Sequence, residues 1–83
     1  MATSSPQVLI VDDEPRLCSA LRRILEKEGY KVITAPDGET ALRLTQEKKP
    51  DVILLDIVMP GTDGRDVCRR VREFSTTTQI IYF

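Results

Sequence analysis

Four short apolar runs punctuate the chain, and two of them differ from the rest. Val8-Leu9-Ile10-Val11 and Val52-Ile53-Leu54-Leu55 are unbroken, with no polar residue in alternation. Strands covered on both faces read this way, as the interior strands of a parallel sheet do. Residues 30–34, centred on Val32 and Ile33, and the stretch Ile80 to Phe83 give two further strands. Between the strands the period becomes helical. Leu17, Leu21, Ile24 and Leu25 recur with helical spacing, while Arg16, Arg22, Arg23, Glu26 and Lys27 face elsewhere. Pro15 suits the first turn of this helix, with Asp13 or Glu14 as its cap, and Gly29 ends it. Asp37-Gly38 opens a second helix, which places Ala41, Leu42 and Leu44 on one side and runs to about Lys48 before Pro50 stops it. A third helix carries Val67, Val71 and Phe74 as its apolar stripe and Arg65, Arg69, Arg70 and Arg72 on its outer face. Ser75 to Thr78 then form a polar turn.

The order is therefore βαβαβαβ. Short helices between short apolar strands mean right-handed crossovers and a parallel sheet with helices on both faces. Residues 1–6 read as a flexible N-terminal tail and residues 7–83 as one folded unit. At 83 residues there is no room for a second domain.

Composition removes several function classes. Twelve basic residues against 13 acidic ones give a net charge of −1, which makes no electrostatic case for nucleic acid or an anionic membrane. The arginines of the third helix are interspersed with Asp66 and Glu73 and read as a solvated face. No apolar run nears the ~18 residues of a membrane span, and Met1 to Gln7 lacks the basic and apolar regions of a secretory signal. A cytoplasmic location is expected. The absence of histidine removes Ser-His and Cys-His catalysis and most zinc sites. Cys18 and Cys68 make no disulfide framework and read as small core-facing side chains.

The remaining chemistry lies in carboxylates. In an open α/β sheet, ligands bind beyond the carboxyl ends of the strands, where the strand order reverses. In a flavodoxin-like order that point falls between the first and third strands. Both of these end in acid: Asp12 and Asp13 on one, Asp56 on the other. Three ionised carboxylates at one sheet edge repel one another, so either one holds a proton or a hard cation sits among them. Mg²⁺ accepts such oxygen ligands, and a carboxylate beside a cation can act as a nucleophile toward phosphorus. Taken singly, Asp13 could be a helix cap and Asp56 a turn residue. It is the joint placement that points to a metal site.

At these residues the chain resembles a known family. Val8-Leu-Ile-Val-Asp-Asp-Glu-Pro15 and Asp51-Val-Ile-Leu-Leu-Asp-Ile-Val-Met-Pro-Gly-Thr-Asp-Gly64 look like the receiver (CheY-like) domains of two-component response regulators, and the likeness runs in order over nearly the whole chain. The resemblance implies a flavodoxin-like, doubly wound parallel sheet of order 2-1-3-4, with the fifth strand and last helices missing. It implies that Asp56 accepts a phosphoryl group from a sensor histidine kinase or phosphotransfer protein. Asp12, Asp13, Asp56 and the backbone carbonyl of Val58 would hold Mg²⁺, with Asp13 a direct ligand and Asp12 acting largely through water. Met59-Pro60-Gly61 would shape the following loop, and Asp63-Gly64 would start the third helix. Such a module is no turnover enzyme beyond self-phosphorylation and self-dephosphorylation, and any output domain lies outside this chain.

The family pattern also contains a Ser or Thr at the end of the fourth strand and a Lys on the fifth, and the chain stops at Phe83 before either. Lys48 and Lys49, at the far end of the second helix, cannot replace that Lys. Slow phosphorylation and an open, β-prone edge at Ile80 to Phe83 are expected. This implies a chain cut short, a strand-exchanged or edge-paired homodimer, or a partner that caps the edge. Three other functions compete with this reading. A phosphohydrolase resembling the haloacid dehalogenase group needs Asp-x-Asp on the first strand, where this chain has Asp12-Asp13-Glu14. A P-loop protein needs a glycine-rich phosphate loop, which is absent from the sequence. The alternative kept open is a phosphorylation-independent interaction module on the same fold.

Overall fold

The structure is a computed structural model and describes residues 5–83. Seven elements alternate along it: β1 (Gln7–Val11), α1 (Pro15–Lys27), β2 (Lys31–Ala35), α2 (Gly38–Lys48), β3 (Val52–Leu55), α3 (Gly64–Arg72) and β4 (Gln79–Tyr82). The strands form one sheet in the order β2-β1-β3-β4. All three pairings are parallel, with Val11 opposite Ala35 on one side and Leu55 on the other, and Leu55 opposite Tyr82. This is the expected flavodoxin-like order. Of the expected tail, residues 1–4 lie outside the described residues. Pro6 already joins the sheet, its carbonyl accepting the Lys31 N–H at 2.9 Å.

The unbroken runs have the cause their pattern implied. Alternate residues of β1 and β3 go to opposite faces; both faces of β1 are covered, whereas β3 is buried at Ile53 and Leu55 and only partly covered at Val52 and Leu54. Leu9, Val11, Ile53 and Leu55 pack with Ala41, Leu42, Met59, Val67 and Val71 under α2 and α3. Val8 and Ile10 pack with Val32 and Cys18 under α1. Every helix starts on an acid whose side chain accepts a backbone N–H of the first turn: Glu14 from Arg16 (3.2 Å), Asp37 from Thr40 (2.7 Å) and Asp63 from Arg65 (3.0 Å). For α1 this selects Glu14 over Asp13 and leaves Asp13 free of that task.

The two faces are unequal, which corrects part of the helical reading. Only Cys18 of α1 is fully buried, with Leu21 and Leu25 partly so, whereas Leu17 and Ile24 are 40% and 59% exposed. Cys18, Leu21 and Leu25 form the line that meets the sheet. Leu17 and Ile24 lie one residue, about 100°, round the helix, beyond the reach of β1 and β2. Phe74 also leaves its expected stripe and is 41% exposed. Helix α3 ends at Arg72, so the helical period no longer governs position 74, and Phe74 lines a cavity of about 880 Å³ with Lys49, Pro50 and Thr78. Cys68 is half-buried, short of the core position expected of it.

Helix α2 closes in an unexpected way. Lys49 caps it in the left-handed region (φ 50°, ψ 59°), its N–H donating to the Thr45 carbonyl at 3.0 Å. A Cβ in that conformation costs about 1–2 kcal/mol, and the following Pro50 restricts Lys49 further. Lys49→Gly is therefore expected to stabilise the fold by about 1 kcal/mol. The midpoint of chemical denaturation should rise at unchanged slope, and a fall would contradict the assignment.

Candidate metal and phosphoacceptor site

Parallel pairing of β1 with β3 continues one step past the last apolar residues. The Asp56 N–H donates to the Val11 carbonyl at 3.0 Å, and the Asp12 N–H to the Ala35 carbonyl at 3.1 Å. The ladder thus fixes the backbones of both acids side by side at the carboxyl edge of the sheet. Asp13 follows directly. Each of the three offers a carboxylate oxygen, and these oxygens lie within 4.8 Å of one another. The three carboxylates read from the sequence are therefore brought together, with Asp12 buried, Asp56 half-buried and Asp13 exposed.

Each buried carboxylate is held locally. Oδ1 of Asp12 accepts the Glu14 N–H at 3.0 Å, and the Asp12 carbonyl faces the Cys18 thiol at 3.5 Å. Oδ1 of Asp56 accepts the Val58 N–H at 2.9 Å. Val58 lies in the loop after β3 and is 74% exposed. Its neighbour Met59 is buried in the larger core and forms a bridge with Thr62, whose N–H donates to the Met59 carbonyl at 3.1 Å. The loop is thus pinned at Asp56 and at Met59, with Ile57 and Val58 exposed between the pins. Asp63 and Gly64 start α3, as the sequence implied.

The electrostatics are one-sided. Among the described residues, no lysine or arginine forms an ion pair with Asp12, Asp13 or Asp56; the ion pairs lie on the helix surfaces, at Arg22–Glu26, Arg43–Glu47, Arg69–Asp66, Arg70–Glu39 and Arg70–Asp66. Burial raises the pKa of Asp12 above the ordinary carboxylate value, opposed by the Glu14 amide; the Asp56 carboxyl, with which a protonated Asp12 can share a hydrogen bond, and the charges of Asp56 and Asp13 raise it further. Oδ2 of Asp12 is buried without any hydrogen-bond partner. A buried anionic oxygen without a donor is costly. A hard cation at this point would satisfy it, and an all-oxygen donor set suits Mg²⁺. The residues present fit such an ion.

Sequence reasoning did not find the Thr62–Met59 bridge that braces the loop, nor the close approach of Gly38 to it. Both depend on which residues of distant elements touch, and periodicity carries no signal for that.

Comparisons with known proteins agree with this geometry. The family model for the response regulator receiver domain matches residues 8–83. The alkaline phosphatase synthesis transcriptional regulatory protein PhoP of Bacillus subtilis is 46% identical over 67 residues, which are 81% of this chain and 28% of that protein. The transcriptional regulatory protein ResD of Bacillus subtilis is 44% identical over 79 residues, 95% of this chain and 33% of that protein. The chain thus spans about a third of the length of these curated relatives. Among solved structures, the Vibrio cholerae chemotaxis protein CheY4 superposes with a TM-score of 0.90 at 34% identity, covering 95% of this chain and 68% of that one. The Thermotoga maritima response regulator TrrA, solved in complex with Mg(2+)-BeF, gives 0.86 at 38% identity, covering 93% and 67%.

The raised pKa of Asp12 sets a pH dependence. The native chain holds this proton more tightly than the unfolded chain, so metal-free stability is highest at low pH, as far as this group decides it. Stability then falls as pH rises from the ordinary carboxylate range through the raised value. Asp12→Asn keeps an oxygen for the Glu14 amide and removes the charge. In chelator, thermal unfolding of this variant should show a higher midpoint than wild type at neutral pH and a flatter pH profile. A midpoint below wild type at neutral pH would contradict the electrostatic account.

Proposed function

The chain belongs to the response regulator receiver domain family, and on that premise we propose that it is the phosphoacceptor module of a two-component signalling protein. Asp56 takes the phosphoryl group. Asp12, Asp13, Asp56 and the Val58 backbone carbonyl hold Mg²⁺. The phosphoryl donor is the phosphohistidine of a sensor histidine kinase or phosphotransfer protein in the cytoplasm. A separate output domain reads the state of the module, as expected if it serves proteins like the transcriptional regulators it resembles. The observation that carries this reading is the convergence of three carboxylates, one of which, Asp12, keeps a buried Oδ2 without a hydrogen-bond partner. A phosphorylation-independent interaction module would give that costly cluster no role.

The chain's own groups account for most of the chemistry. An Asp56 carboxylate oxygen attacks phosphorus; a P–O bond forms as the P–N bond to the donor imidazole breaks, and the electron pair leaves with the imidazole nitrogen. The product is an acyl phosphate, and the chain acts as acceptor. The Val58 amide fixes the rotation of the Asp56 carboxylate before attack, which removes a conformational search from the barrier. The Glu14 amide does the same for Asp12. Because no lysine or arginine pairs with the acids among the described residues, repulsion between the anionic nucleophile and the anionic phosphoryl group has to be offset from outside the side-chain set. Bound Mg²⁺ supplies that positive charge.

Labelled acetyl phosphate tests the assignment. With Mg²⁺ present, the protein should take label into a base-labile linkage, and Asp56→Asn should lose at least nine-tenths of it, a drop on the order of 10-fold or more for removal of the nucleophile itself. Equal labelling of the two proteins would sink the acceptor assignment. Chelation should abolish labelling of the wild type.

A further inference from the structure

Gly38 is the first residue of α2, is buried, and has no open space around it. A Cβ built there would lie 2.9 Å from Cγ2 of Val67 and 3.1 Å from Cγ2 of Thr62. The backbone does not ask for glycine at this point, since only Gly29 and Gly61 among the described glycines have positive φ. Helix propensity alone favours alanine over glycine. What excludes a side chain is crowding by two residues, Thr62 in the loop after β3 and Val67 in the core on α3.

Those two neighbours differ in how they can yield. Val67 is buried in the larger core on α3. Thr62 is half-buried in the loop after β3. Close-packed interiors resist displacement more than loops do. The Glu39 carboxylate next to Gly38 is paired with Arg70 of α3 at 3.0 Å, a surface contact that tethers the start of α2 to α3 only weakly. Thr62 is hydrogen-bonded to Met59, and the adjacent Val58 N–H holds Asp56. On its other side, Gly38 follows Ala35-Pro36-Asp37, and the Ala35 carbonyl receives the Asp12 N–H. Gly38 therefore stands where the segments that position Asp12 and Asp56 meet.

We propose that Gly38 is a positioning residue for the carboxylate site: the missing side chain lets the start of α2 seat against Thr62 and so fixes the loop that holds Val58 and Asp56. The inference rests on the reading of that site as a Mg²⁺ and phosphoacceptor centre. An added methyl group displaces Thr62, carries Met59 and Val58 with it, and turns the Asp56 carboxylate away from Asp12 and Asp13.

The test compares wild type, Gly38→Ala, Val67→Ala and Gly38→Ala/Val67→Ala, each checked for folding by circular dichroism. Mg²⁺ is titrated while the amide resonances of Asp13, Asp56 and Val58 are followed. Gly38→Ala should bind Mg²⁺ on the order of 10-fold more weakly, as for groups that orient metal ligands. Val67→Ala should bind like wild type. The double variant, in which the nearer obstruction is gone, should recover most of the lost affinity even though it is less stable than wild type, which a purely structural role would not produce. A folded Gly38→Ala that binds Mg²⁺ as wild type does would overturn the proposal, and so would a double variant as weak as the single one. Should Gly38→Ala fail to fold, Gly38→Ala/Val67→Ala is compared with Gly38→Ser/Val67→Ala, where the larger side chain restores the crowding. Weaker binding by the serine variant supports the proposal, and equal binding overturns it. Failure of the wild type itself to bind millimolar Mg²⁺ would instead remove the metal reading, and this inference with it.

Discussion

The parallel ladder between β1 and β3 is the interaction on which everything else depends. Because β1 is covered on both faces and β3 is buried on one and partly covered on the other, neither carries a polar side chain between its ends, and the carboxyl tip is the next place for one. The two tips are adjacent, since Val11 is paired with Leu55. The next residue on each strand is an aspartate, and the ladder's last hydrogen bonds fix both backbones. The site is thus a by-product of burial, as the polar ends of two apolar strands in register.

That placement has an energetic consequence. Two carboxylates at the 4.8 Å outer limit of the cluster repel by on the order of 3 kcal/mol at an effective dielectric near 20. Set against the ~5–15 kcal/mol stability of a typical domain, this is a large local cost, and solvent screens mainly the exposed Asp13. The Glu14 and Val58 amides offset part of it as neutral donors. They leave Oδ2 of Asp12 with nothing. A fold selected for stability alone would do better with apolar or neutral residues at these tips.

Much of this was legible in the sequence because it follows from local rules. Unbroken apolar runs identified β1 and β3, and the acids at their ends identified Asp12, Asp13 and Asp56 as neighbours once the strand order was inferred. What escaped depends on contacts between distant segments. Leu17 and Ile24 share the helical period of α1, but periodicity does not say how wide a face the sheet can cover. Phe74 continues the spacing of α3 on paper, although the helix has already ended at Arg72. Lys49 adopts a conformation that local preference would give to glycine, because α2 must close where Pro50 begins the approach to β3. Gly38 looks like an ordinary residue after a helix cap, and only Thr62 and Val67 reveal why a side chain is absent.

The division of the loop after β3 follows from the same constraint. Asp56 belongs to the ladder and Met59 to the core, so the loop is held at both of these residues. Ile57 and Val58 between them are apolar yet exposed. A longer span would loosen the Val58 amide that orients Asp56. A short span tied at both ends holds the half-buried Asp56 carboxylate in place. The repulsion that lowers the stability of the metal-free chain is then the free energy that a bound cation would relieve. Whatever neutralises the acids therefore stabilises the native chain over the unfolded one.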